Sequence, residues 1–208
     1  MCAVVSRWSI THDKALARVF GCLEKTIDKS LYGALSPEDL DDIQLVLWTD
    51  ADWNGDPEHT KSTNGLYLEL ESPSSGRTWP LTWGSKKQTS TSLSTCEAET
   101  VSAVSAMKAE VYPIQEMIEQ ALGKRVPVVV RIDNTQAITA IQRGYSKKLR
   151  HLKRCHRIAI GWAHERVNDA DGKTSVEYHE TSTHKGTIFT KALERKPFER
   201  ERELIGMR

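Results

Sequence analysis

Acidic side chains that follow directly on apolar runs are the feature of this sequence best suited to chemistry. Leu45-Val46-Leu47-Trp48-Thr49 leads into Asp50, with Asp52 and Asp56 close behind, and Val126 to Ile132 leads into Asp133-Asn134. A carboxylate at the exit of a buried strand is held rigidly enough to bind a metal ion. Between the two runs, Ser94-Thr95-Cys96-Glu97 has a hydroxyl with an acid three residues later, a capping box that opens a helix running to about Leu122. Its acids Glu97 and Glu99 stand about 200° apart on a helix of ~3.6 residues per turn, so only one can face a sheet. Glu99 shares its side with Ala103, Ala106, Ile114, Met117 and Ala121, a small apolar stripe, whereas Glu97 aligns with Val101, Val104, Lys108 and Gln115. Glu99 is therefore preferred, although Glu110 falls on its side as well. Asp50, Glu99 and Asp133 brought together would repel one another unless a cation neutralised them, and an all-oxygen set suits Mg²⁺ or Mn²⁺ rather than zinc. A pair of such ions about 3.5–4 Å apart activates water and stabilises the leaving oxygen in phosphodiester hydrolysis. The plainer alternative is that these acids solvate a loop, cap helices or pair with cations.

The elements that must position these acids can be read from the chain in order. Ala15, Leu16, Val19, Phe20, Leu23 and Ile27 recur at spacings of three and four, so residues 1–32 are expected to be helical, with cap chemistry at Thr11, His12 and Asp13. Gly33 and Pro37 break that pattern, and Glu38, Asp39, Asp41 and Asp42 make an acidic linker. Strands are expected at about 43–50, 65–70 and 79–83, the last two joined by a hairpin through Ser72-Pro73-Ser74-Ser75-Gly76, and the first closed by the turn Asn54-Gly55-Asp56-Pro57. Pro113, well inside the helix that begins at Ser94, predicts a kink, and Gly123 its stop. A strand at 126–132, helices at about 137–143 and 147–167, a turn at 168–172, a strand at 174–179 and a charged helix from about Gly186 complete the chain. Strands first and helices alternating with strands later indicate a mixed-sheet α/β domain. If the strands ending in Asp50 and Asp133 are parallel neighbours, the intervening helix is their crossover and both carboxylates emerge at one sheet edge.

The 208 residues fit one domain with an appended segment, and a net charge of +1 excludes a globally basic nucleic-acid binder without excluding a local patch. Arg143, Lys147, Lys148, Arg150, Lys153, Arg154 and Arg157, with His151 and His156 among them, form such a patch, suited to phosphate contacts that give affinity without sequence readout. A solvated helical face is the alternative. No run reaches the roughly 18 apolar residues of a membrane span, and no secretory pattern opens the chain, so an intracellular protein, cytoplasmic or nuclear, is expected. Cys2, Cys22, Cys96 and Cys155 are scattered and read as reduced thiols. The six tryptophans are expected to be core and strand-packing residues rather than base-stacking platforms, and Ser92, Ser94 and Thr95 lack the relay that would make a nucleophile.

Trp48-Thr49-Asp50-Ala51-Asp52-Trp53-Asn54-Gly55-Asp56, Lys61-Ser62-Thr63-Asn64-Gly65 and Trp83-Gly84-Ser85-Lys86-Lys87-Gln88 are followed by Leu93 to Glu99, Asp133 to Ile138 and Phe189-Thr190-Lys191-Ala192-Leu193. In these motifs and their order the chain resembles the ribonuclease H domain of copia-type LTR retrotransposon polyproteins. Residues 5–33 resemble the end of the reverse transcriptase that precedes it. The resemblance implies a helical remnant and acidic linker over 1–42 and a ribonuclease H-like domain over 43–208, the carboxy-terminal piece of a longer polyprotein. It implies a five-stranded mixed sheet flanked by helices, and four acids that bind two Mg²⁺ (or Mn²⁺) ions and cut the RNA strand of an RNA/DNA hybrid. Asp50, Glu99 and Asp133 take the first three places. Thr187 stands where the fourth acid precedes the Phe-Thr-Lys motif, which puts the second ion and full activity in doubt. His184 is a possible accessory for proton transfer, and Asn134 and Gln136 are possible minor-groove contacts beside the basic run, with helix capping the alternative for Asn134. A separate reverse transcriptase core is the further partner implied, and a relic that binds nucleic acid without cutting it is the rival reading.

Overall fold

The computed structural model describes residues 5, 8–55, 60–170 and 173–208. Asp56, Asp171, Cys2 and the start of the expected N-terminal helix lie outside them. The helix that is described, α1 (Ile10–Lys25), has no buried residue. After a 3-10 turn at Pro37–Asp41 come β1 (Gln44–Asp52), β2 (Thr63–Glu71) and β3 (Thr78–Lys87). Helix α2 (Thr95–Ala106) runs through a π-helical segment, Met107–Val111, into α3 (Tyr112–Leu122), and then follow β4 (Val128–Ile132) and α4 (Thr135–Arg143). Short α5 (Leu152–Cys155), α6 (Ile160–Val167), β5 (Thr174–Tyr178) and α7 (Arg195–Leu204) complete the order.

One five-stranded sheet results, ordered β3-β2-β1-β4-β5. The first three strands are antiparallel neighbours, and β4 runs parallel to both β1 and β5. This is the five-stranded mixed sheet flanked by helices that the motifs led us to expect. Strand β1 is central because its residues are apolar on both faces. Leu45 and Leu47 join the main core with Leu68, Val128, Val130, Val101, Val104 and Met107, while Val46 and Trp48 join a smaller cluster with Tyr67, Val129 and Ile205 on the other face. Each such fully buried side chain stabilises the fold by about 1.5–3 kcal/mol.

Several elements differ from the sequence expectation. Pro113 lies in the first turn of α3, where a missing amide is tolerated, and the chain reaches it through the wide π turn rather than within a continuous α-helix. The expected helix over 147–167 is instead a 3-10 turn at Lys147–Leu149, the four-residue α5 and the separate α6. Arg157, at φ 57°, adopts the left-handed conformation that breaks it. The expected helix from Gly186 is a 3-10 turn, Thr187–Phe189, followed by α7 only from Arg195. Strands β1 and β3 are longer than expected, so Asp52 ends a strand rather than sitting in a loop.

The segment before β1 is docked. The Arg77 guanidinium donates to both oxygens of Asp39 at 2.8 and 2.9 Å. Leu31 bridges Met207 in antiparallel fashion, and Ser30 and Arg208 exchange backbone hydrogen bonds of 2.8 and 3.0 Å.

Candidate metal centre

Strands β1 and β4 pair Leu45 with Val128 through Trp48 with Arg131, and the same offset carried two residues further sets Asp50 beside Asp133. Helix α2, buried from Glu97 to Val104, lies across this end of the sheet. Glu99 and Ser102, one turn apart, make polar contacts to β1: the Ala51 amide donates to Glu99 Oε1 at 3.1 Å, and the Ser102 hydroxyl donates to the Asp50 carbonyl at 2.9 Å. Asp50, Glu99 and Asp133 thereby each bring one carboxylate oxygen to within 4.8 Å of the others. Glu97 points away from this group, as the angular argument requires.

The cluster is electrostatically strained. Burial first, and then the neighbouring Asp50 and Asp133 charges, push the Glu99 carboxyl up to about 9. Glu99 Oε2 is buried without a hydrogen-bond partner, which is costly for a polar atom unless something outside the described residues satisfies it. Hard oxygen donors, close spacing and an orphaned oxygen fit a divalent cation of the Mg²⁺ type. Asp52, two residues from Asp50, also has its carboxyl pushed up by burial.

The segment after β5 closes the site. His184 is fully buried: its Nε2–H donates to the Arg131 carbonyl at 3.1 Å and its Nδ1 accepts from the Gly186 amide at 3.2 Å. A histidine in this Thr-rich loop is thus wholly buried rather than at the surface. Both ring nitrogens are engaged by the backbone. Lys185 donates to both oxygens of the buried Glu69 at 2.6 and 2.8 Å, and the Trp48 indole donates to the same carboxylate at 2.8 Å. Gly65 opposes Asp50 in β2, and a Cβ there would come within 2.5 Å of Thr190 Cγ2. Only glycine leaves room for this segment to lie against the strand.

Sequence reasoning missed what this segment delivers. The Thr190 hydroxyl hydrogen-bonds Asp50 Oδ2, and Lys191 Nζ lies 3.3 Å from the same oxygen. The Phe-Thr-Lys motif was visible in the sequence, but its spacing gave no reason to aim it at Asp50. Thr187 is buried, and its hydroxyl has no hydrogen-bond partner among the described residues.

Asn134 Oδ1 accepts from the amides of Gln136 and Ala137 at 3.0 and 3.1 Å, so of its two readings helix capping is the one seen in the structure. Gln136 is exposed and lines a groove of about 590 Å³ with Arg143, Lys147, Lys148 and Tyr145. Arg150 and Lys153 line a neighbouring hollow, and Arg154 is exposed beside them. The seven basic residues do not share one helical face: Arg143 ends α4, Lys147 and Lys148 lie in the 3-10 turn, Lys153 and Arg154 in α5, and Arg150 and Arg157 between elements. Glu97 anchors this stretch: its Oε1 lies 2.9 Å from His151 Nε2 and 3.3 Å from His156 Nε2.

A mixed sheet in this order, with a helix-borne glutamate between strand-end aspartates, defines a ribonuclease H-like α/β domain. The chain is a homologue of the retrovirus-related Pol polyproteins of copia-type transposons. It is 30% identical over 164 residues to that of transposon TNT 1-94 from Nicotiana tabacum, covering 78% of this chain and 11% of the relative. It is 26% identical over 196 residues to that of transposon RE2 from Arabidopsis thaliana, covering 94% and 12%. The chain thus spans about a tenth of the length of these relatives. Secreted RxLR effector protein 161 of Plasmopara viticola is 37% identical over 89 residues, covering 43% of this chain and 56% of that protein. No family model matches. Among solved structures, prototype foamy virus protease-reverse transcriptase aligns with a TM-score of 0.38 and 11% identity, over 79% of this chain and 20% of that one.

Proposed function

We propose that this domain is a metal-dependent endonuclease of the ribonuclease H type, acting on the RNA strand of RNA/DNA hybrids with activity lowered by Thr187. The observation that carries the reading is the convergence of Asp50, Glu99 and Asp133, with one Glu99 oxygen buried and unpartnered. These three would hold Mg²⁺ or Mn²⁺, which supplies an activated water and charge stabilisation at the phosphate. Asp50 and Asp133 are fixed by the ends of paired strands, and Glu99 by the Ala51 amide, so the donors are preorganised. Thr181 donates to Asp133 Oδ2 at 2.9 Å and orients that carboxylate. The exposed Lys147, Lys148, Arg150, Lys153 and Arg154, with Gln136 in the adjoining groove, would contact the sugar-phosphate backbone, which suits a substrate read by shape and 2′-hydroxyl rather than base sequence.

A neutral hydroxyl at position 187 is a poor ligand and leaves one negative charge fewer for a second ion. The second reading, a fold that binds nucleic acid without cutting it, draws on that departure and on the Lys191 ammonium beside Asp50. Cleavage of a labelled RNA/DNA hybrid with Mg²⁺ or Mn²⁺ decides between the two. Weak cutting by the natural chain, gain of at least about tenfold in Thr187→Asp and loss in Asp50→Asn are expected. Absence of cutting by both the natural chain and Thr187→Asp would overturn the nuclease reading.

A further inference from the structure

We propose that Lys191 is a built-in counter-cation of the acid cluster, so that the site takes one divalent ion, with the lysine ammonium in place of the charge of a second. The inference rests on the reading of Asp50, Glu99 and Asp133 as a divalent-cation site and specifies how that site is balanced. Lys191 Nζ stands 3.3 Å from Asp50 Oδ2, and the Thr190 hydroxyl bonds the same oxygen. A carboxylate bridges two ions by offering one oxygen to each. Here Oδ2 is engaged by two donors of the chain itself, the Thr190 hydroxyl and the Lys191 ammonium. Charge counting agrees. Three carboxylates carry three negative charges, which one divalent ion and one ammonium neutralise together, whereas two divalent ions would leave an excess in a buried place.

The lysine is fixed in place. Its segment is tied down by the Lys185 pair with buried Glu69, by the His184 bond to the Arg131 carbonyl, and by Thr190 packed over Gly65.

Titration of the full chain with Mn²⁺ alone, without nucleic acid, by calorimetry and by the electron paramagnetic resonance of free Mn²⁺, tests this. The natural chain is expected to bind one ion. Lys191→Met, and Lys191→Gln as a substitution that keeps a donor for Asp50, are expected to bind it about tenfold or more tightly, because a like charge a few ångströms from the ion is removed. Both variants are expected to melt lower than the natural chain without metal and to recover the difference when saturated with Mn²⁺. The double variant Thr187→Asp with Lys191→Met is expected to take two ions. Two ions in the natural chain, unchanged affinity in both single variants, or a single ion in the double variant would overturn the proposal while leaving the metal site standing. No Mn²⁺ binding by any of the proteins would overturn the metal reading itself, and the proposal with it.

Discussion

Glu99 carries most of the electrostatic burden of the site in metal-free protein. Its carboxyl is pushed from 4.5 to about 9 by burial and by Asp50 and Asp133, so the folded chain holds a proton there that the unfolded chain releases. The sign follows from linkage. An acid whose folded value is raised costs nothing below about pH 4.5, and stability falls as pH rises towards 9, by at most about 1.4 kcal/mol per pH unit. Glu99→Gln has nothing to ionise. It is expected to be more stable than the natural chain in metal-free buffer at pH 8, with the gap closing as pH falls to 4.5, as thermal melts in a chelator would read. A gap independent of pH would contradict this account. At this scale the choice of Glu99 over Glu97 was legible, because two residues turn a helix by about 200°. The burial of Glu97 was not, since its histidine partners, His151 and His156, come from a loop more than fifty residues away.

Among the elements, the segment from His179 to Lys191 decides most about the site, although it contains only two 3-10 turns. Ile188 and Phe189 pack against the smaller core cluster, and the rest of its attachment is polar. Lys185 satisfies Glu69, which is wholly buried and also accepts from the Trp48 indole, and the Arg131 guanidinium stacks 4.6 Å over the same indole while pairing with Glu71. Lys185→Met leaves a buried carboxylate with only the indole as donor and is expected to destabilise the domain by about 3 kcal/mol in urea unfolding. Replacing Glu69 by Gln at the same time is expected to restore part of that loss, because the unpaired charge is gone. A purely local role for Lys185 would show as a change under about 0.5 kcal/mol. The strands were readable because Leu45 to Leu47 and Val128 to Val130 are continuous apolar runs, as buried strands must be. The break of the expected helix at 147–167 was not, because the basic residues there suit a helix as well as a loop, and packing of Leu149, Leu152 and Ile158 into the core chose the loop.

Over the whole molecule, a net charge of +1 conceals a separation of signs. Acids gather at the sheet edge, and exposed bases gather on the loop between α4 and α6. If that loop meets phosphates, Lys147→Ala with Lys148→Ala is expected to weaken binding of an RNA/DNA hybrid and to lower the slope of log K against log salt by about 1–2, with little change in metal affinity, as fluorescence anisotropy at several salt concentrations would show. An unchanged slope would return the loop to the solvated-face reading. Composition, periodicity and the order of motifs were enough to specify a mixed α/β sheet and the three acids, because strand period, helical angle and strand-end position are local properties of the chain. The Lys191 and Thr190 contacts with Asp50, the burial of His184 and the gathering of the basic loop needed the folded molecule. Each joins residues far apart in sequence, and no local rule determines which distant side chain fills the space beside a buried charge.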